Sequence, residues 1–117
     1  MSNDQKINYI EFPANDFDAV QSFYEKAFKW TFTDYGDEYR AFNDGQMDGG
    51  FYKSDQHSST ENGAALVVLY ANNLEQTKDV VIASGGKLVN DIFSFPGGRR
   101  FHFSDPSGNE LAVWSDK

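Results

Sequence analysis

One order of segments is written twice along these 117 residues. Residues 6–12 (KINYIEF) are rich in β-formers and end at Pro13. Asn15 or Asp16 can cap the next segment, because a side-chain oxygen there accepts a free amide hydrogen of the first helical turn. Val20, Phe23, Tyr24, Ala27 and Phe28 then recur at helical spacing and form one apolar stripe. Strands are expected over Trp30 to Tyr35, Glu38 to Phe42 and Gln46 to Tyr52, with Asn43-Asp44-Gly45 as a hairpin turn. The second half has the same order. Ala64 to Tyr70 predicts a strand, Asn72 or Asn73 caps a helix over Leu74 to Ser84, and Gly85-Gly86 stops it. Lys87 to Phe93, Arg99 to Ser104 and Glu110 to Trp114 predict three more strands. They are separated by Phe95-Pro96-Gly97-Gly98 and by Asp105-Pro106-Ser107-Gly108, which fits a type I turn.

Both halves therefore read β-α-β-β-β. The 57-residue offset from Asp16 to Asn73 recurs from Trp30 to Lys87, the pattern of a duplicated unit. The polar stretch from Lys53 to Gly63 joins the halves as a loop. The expectation is one α+β domain over residues 1–117, made of modules at about 6–53 and 63–115, large enough to bury roughly two-thirds of its unfolded surface.

Composition narrows the function classes. Cysteine is absent, which excludes disulfides, thiol catalysis and thiolate metal sites. No apolar run approaches the ~18 residues of a membrane span, and MSNDQKINYI carries no signal-peptide apolar core, so a cytoplasmic protein is expected. The net charge of −8 repels nucleic acid and anionic lipid; neither is an expected partner, whereas a cationic small molecule is compatible.

Three stretches carry a resemblance: IEFPANDFDAVQSFYEKAFKW, SGGKLV and FHFSDPSGNELAVW. With the repeated βαβββ order, the chain resembles the glyoxalase/bleomycin resistance/dioxygenase (vicinal oxygen chelate) superfamily over about residues 6–115. The resemblance implies two modules forming a cupped, eight-stranded mixed sheet, helices on its outer face and ligands inside the cup. Strand alternation then sends Ile10, Phe12, Ala65, Val67, Leu69, Leu111 and Val113 toward the helices. Tyr9, Glu11, Leu66, Val68, Tyr70, Glu110, Ala112 and Trp114 are left for the cup. Metal-dependent members carry ligands at four equivalent cup positions, which fall here on Tyr9, near Gly50, on Leu66 and on Ala112. A lone phenol beside three side chains without donors does not hold a divalent ion, since such sites want imidazole and carboxylate together. No metal and no cofactor is the expectation, contrary to lactoylglutathione lyases and ring-cleaving dioxygenases, which act through the metal.

Catalytic candidates are Glu11, Tyr9 and His102. A partly desolvated carboxylate at Glu11 suits a general base; its bland alternative is a structural carboxylate paired with an arginine or capped by amides. Glu110 can join Glu11 in acid/base work if the two carboxyls lie ~5–10 Å apart, and is otherwise a solvated strand end. His57 is expected in solvent, and His102 is expected as a hydrogen-bonded structural residue if it is not a base. The adjacent Arg99 and Arg100 point to opposite faces, so one of them can enter the cup to bind an anionic ligand group or pair with Glu11, with a surface or ion-pair role as the bland alternative for each. The expected ligand pocket comprises Tyr9, Glu11, Trp30, Arg40, Phe42, Tyr52, Phe93, Arg99, Phe101 and Trp114, an aromatic lining with polar handles. The leading functional expectation is a metal-free protein, as a homodimer, binding a small, partly apolar molecule for which a cation is compatible. The alternatives are a lyase, isomerase or dioxygenase using a displaced metal site or a carboxylate base, and a module whose cup is filled by its own side chains.

Overall fold

The computed structural model describes residues 2–117. The first half contains β1 (Tyr9–Ala14), α1 (Phe17–Phe28), β2 (Thr31–Asp34), β3 (Tyr39–Asn43) and β4 (Asp48–Lys53). The second contains β5 (Val67–Tyr70), α2 (Leu74–Ala83), β6 (Lys87–Phe95), β7 (Gly98–Ser104) and β8 (Glu110–Ser115). The strands hydrogen-bond as two four-stranded sheets of identical plan, β1-β4-β3-β2 and β5-β8-β7-β6. In each, the first strand runs parallel to the last and the other pairs are antiparallel.

The caps explain where the helices start. Asp16 accepts from the Ala19 amide at 3.1 Å, and Asn73 accepts from the Gln76 amide at 3.0 Å. The stops differ: α2 ends before Gly85 at φ 110°, whereas α1 ends on Lys29 at φ 63° without a glycine.

The core lies between the helices and the sheets. Val20, Phe23 and Tyr24 of α1 are buried with Phe12, Phe42 and Phe51 of the first sheet and with Phe101, Phe103, Leu111 and Val113 of the second. Trp30 is stacked between Tyr24 (4.3 Å, 8°) and Phe42 (4.5 Å, 16°). Phe23 meets Phe103 at 5.8 Å, so α1 packs on both halves.

A buried polar network closes the same junction. Asp105 accepts from the Tyr24 hydroxyl at 2.9 Å and from the Ser107 and Asn109 amides at 2.9 and 3.0 Å. Asn109 Nδ2 donates to the Pro13 carbonyl at 2.8 Å, and its Oδ1 accepts from the Ser58 amide at 2.9 Å. Burial raises the Asp105 carboxyl above its ordinary value against these donors, and burial beside Asp105 pushes the Tyr24 phenol up. The asparagine after the turn glycine thus holds β1, the linker and β8 together.

Candidate functional site

On β1, Ile10 and Phe12 pack toward the core, leaving Tyr9 and Glu11 exposed on the helix-free face. Lateral pairing sets Glu11 beside Gly50 and Gly50 beside Ala41. The missing side chain at Gly50 is replaced by the ring of Tyr39, one turn of the pleat away: a Cβ on residue 50 would lie 2.0 Å from the Tyr39 hydroxyl. That hydroxyl donates to Glu11 Oε2 at 2.8 Å and lies 2.7 Å from the Tyr9 hydroxyl. A phenol has one proton, so Tyr9 donates to Tyr39 and Tyr39 to Glu11. Desolvation, then the contacts with Tyr9 and Glu11, holds the Tyr39 phenol well above the ordinary phenol range, so it stays a donor. Beside this trio, Glu11, Pro13 and Tyr52 meet linker residues Asp55, His57 and Asn62 around a cavity of about 530 Å³.

The second sheet presents two lateral rows on its corresponding face. One runs Phe93, Arg100, Trp114, Tyr70; the next runs Asn90, His102, Ala112, Val68. The Arg100 guanidinium lies over Phe93 (5.3 Å) and Phe95 (5.5 Å). Val68, Phe95, Gly97, Arg100 and Trp114 line a cavity of about 330 Å³.

His102 is buried, with Nδ1 2.7 Å from Glu110 Oε2. The other oxygen of Glu110 accepts the Thr60 amide and hydroxyl, each at 2.9 Å. Burial pushes the Glu110 carboxyl up, but the bonds from His102 and Thr60 outweigh it and leave the group below its ordinary value. An ionised Glu110 assigns the ring proton to Nδ1. Nε2 is buried without a hydrogen-bond partner among the described residues.

Several expected pocket members lie elsewhere. Tyr9, Glu11, Tyr52, Phe93 and Trp114 share the helix-free face, whereas Trp30, Phe42 and Phe101 are core residues at 6%, 6% and 0% exposure. Arg40 is on the helix side, paired with Asp18 at 2.8 Å and Asp34 at 3.7 Å and lying over Phe17. Arg99 turns to Glu75 of α2 and to the Lys117 carbonyl. The reason is alternation: residues 40 and 42 share the face of β3 that meets the core, as 99, 101 and 103 do on β7. Glu110 is not a solvated strand end, because linker residue Thr60 folds over it. His57 is exposed in the linker.

Tyr39 and the pairing of Glu110 with His102 and Thr60 escaped the sequence reading, which also left open whether Arg99 or Arg100 enters the cup. Parity with Ala41 puts Tyr39 on the cup face and parity with His102 selects Arg100 over Arg99; nothing local signals the pairing of Glu110.

The four positions that the resemblance assigns to metal ligands, Tyr9, a place near Gly50, Leu66 and Ala112, do not fit a divalent ion. Tyr9 supplies a phenol already bonded to Tyr39, and the space at Gly50 is taken by the Tyr39 ring. Leu66 stands one residue before β5, and Ala112 is buried. Among the described residues no three His, Asp or Glu side chains gather as a metal-binding group.

A family model described as Glyoxalase/Bleomycin resistance protein/Dioxygenase superfamily matches residues 6–113. No curated protein matches the sequence. Among solved structures, a glyoxalase-related enzyme from Fulvimarina pelagi superimposes with TM-score 0.78 at 16% identity, covering 95% of this chain and 88% of its own. A genomically encoded fosfomycin resistance protein from Listeria monocytogenes gives 0.78 at 12% identity, with 95% and 93% covered. A lactoylglutathione lyase from Agrobacterium tumefaciens gives 0.73 at 18%, with 97% and 96% covered. At these identities the likeness is one of fold.

Proposed function

The chain belongs to the glyoxalase/bleomycin resistance protein/dioxygenase superfamily, and from that premise we propose that it binds a small, partly apolar molecule in the cup of its sheets without a metal. One observation carries this reading: Tyr39 fills the space above Gly50 and ties up Tyr9 and Glu11, while the surface beside them remains open as a cavity of about 530 Å³. The first half of the cup offers a carboxylate and phenol rings, groups that suit a cationic aromatic ligand. The net charge of −8 favours the same sign of ligand. A homodimer is part of the same proposal, supported by exposed Val68 and Tyr70, two residues apart on the edge strand β5. Among the described residues no helix is long and apolar enough to cross a membrane. A cytoplasmic setting is part of the same proposal.

The test is thermal unfolding with small aromatic amines and their neutral analogues. Stabilisation by the amines, following the logarithm of ligand concentration and weakened in Glu11→Gln, is the expected result. No stabilisation by any member of the set would contradict the reading.

A further inference from the structure

We propose that the second half of the cup binds an organic oxyanion, a carboxylate carried on a flat apolar body, with Arg100 as its anchor. The inference rests on the reading of the cup as a small-molecule site and assigns a ligand class to its second cavity, whose lining shares no residue with the cavity beside Glu11 that suits a cation.

The chain has three arginines, at positions 40, 99 and 100. Arg40 is matched to Asp18 and Asp34, and Arg99 to Glu75. Arg100 forms no ion pair among the described residues, and its Nε is buried without a hydrogen-bond partner. This occurs in a chain with 18 acidic and 10 basic side chains, where a carboxylate partner is the easiest thing to supply. Its Nε has lost water without gaining a partner, as the Nε of Arg40 has, but of the three arginines Arg100 alone also lacks a carboxylate among the described residues.

Its surroundings fix the group in place. Register sets Arg100 between Phe93 on β6 and Trp114 on β8, and the guanidinium lies over the rings of Phe93 and Phe95. Stacking of this kind holds an arginine without using its hydrogen bonds. The adjoining cavity of about 330 Å³ is lined by Val68, Phe95, Gly97 and Trp114 besides Arg100. One fixed cation in an otherwise apolar hollow is the complement of a carboxylate on an aromatic or branched aliphatic body. The guanidinium takes the carboxylate through parallel N–H···O bonds, and Trp114 and Phe95 take the body.

The experiment compares 4-tert-butylbenzoate with 4-tert-butylbenzamide by calorimetric titration of the full chain. The wild type is expected to bind the acid at least about tenfold more tightly than the amide, as a charged hydrogen-bonded contact warrants. Arg100→Gln is expected to abolish the preference, and Arg99→Gln, the same charge change on the opposite face, to leave it intact. Arg100→Lys, which keeps the charge without the planar fork, is expected to retain part of it; if the Gln variant does not fold, this variant decides, and a preference undiminished in it overturns the proposal. Equal affinity for acid and amide in the wild type, binding of neither, or a preference that survives Arg100→Gln also overturns it. So does a wild-type dimer that Arg100→Gln converts to monomer with no acid preference in either form, since the anchor's partner is then an acidic side chain of a second copy. Stabilisation by aromatic amines together with indifference to the acid–amide pair would leave the binding function standing and remove the anion anchor; failure of both would remove both.

Discussion

Gly50 and Tyr39 occupy one volume: the hydroxyl of Tyr39 lies 2.0 Å from where a Cβ on residue 50 would be. The glycine and the tyrosine are therefore a matched pair, and the space beside Glu11 at residue 50 is committed to holding a ring.

Gly50→Ala is expected to lower stability by about 1–3 kcal/mol, because the methyl group forces the ring of Tyr39 out of its seat. In a Tyr39→Ala background the three nearest atoms, all of the Tyr39 ring, are gone and the same substitution should cost little. Urea unfolding of the four proteins of this double-mutant cycle checks the coupling; additive effects would show that the two residues do not compete for space.

The Glu110 carboxyl is held below its ordinary value in the folded protein. The folded state therefore gives up that proton more readily than the unfolded chain. The resulting stability is present above the ordinary value of 4.5 and is lost as pH falls through the lower folded value. Glu110→Gln should be less stable than wild type at pH 7 by about 1–3 kcal/mol, with the gap narrowing below pH 4.5. Asp105, raised by burial, gives a slope of opposite sign, so the difference between the two proteins is the quantity to follow across pH. A gap that is constant from pH 7 to pH 3 would contradict the assignment.

At the junction of the halves, Asn109 serves three elements and Tyr24 serves one. Tyr24→Phe leaves Asp105 with its Ser107 and Asn109 donors and should cost about 1 kcal/mol. Asn109→Ala strips bonds from Pro13, Asp105 and Ser58 at once and should cost about 2–4 kcal/mol. Chemical denaturation ranks them, and the reverse order would show that Asn109 is not the principal tie.

Trp30 and Trp114 should separate stability from binding. Trp30, enclosed between Tyr24 and Phe42, should cost about 3–5 kcal/mol on replacement by Ala. Trp114 lies on the cup face beside Arg100, and Trp114→Ala should weaken binding of 4-tert-butylbenzoate with a much smaller loss of stability. Equal losses of stability in the two variants would contradict this division.

The element order was readable because it rests on local signals: Asp16 and Asn73 at the caps, the apolar stripe from Val20 to Phe28, and the glycine and asparagine turns. Faces were readable where apolar residues alternate with different ones, as with Ile10 and Phe12 on β1 or Leu111 and Val113 on β8. They were not readable where aromatics occur on both faces. Phe42 and Phe101 are aromatic like Tyr9 and Trp114, and only strand parity separates core from cup. The contacts that define the site depend on pairing between distant strands. Tyr39 reaches over Gly50 and bonds Tyr9 and Glu11, and Thr60 reaches Glu110 from a linker that has no periodicity. No spacing along the chain encodes those meetings.

The account stands or falls on the cup's inability to hold a transition metal. Untagged protein, incubated with excess nickel, zinc, manganese and ferrous iron, passed through gel filtration and analysed for metal content, should retain far less than one ion per chain and no more than a Tyr9→Phe variant. About one ion per chain, retained by the wild type and lost on replacing Tyr9, Glu11 or His102, would contradict it.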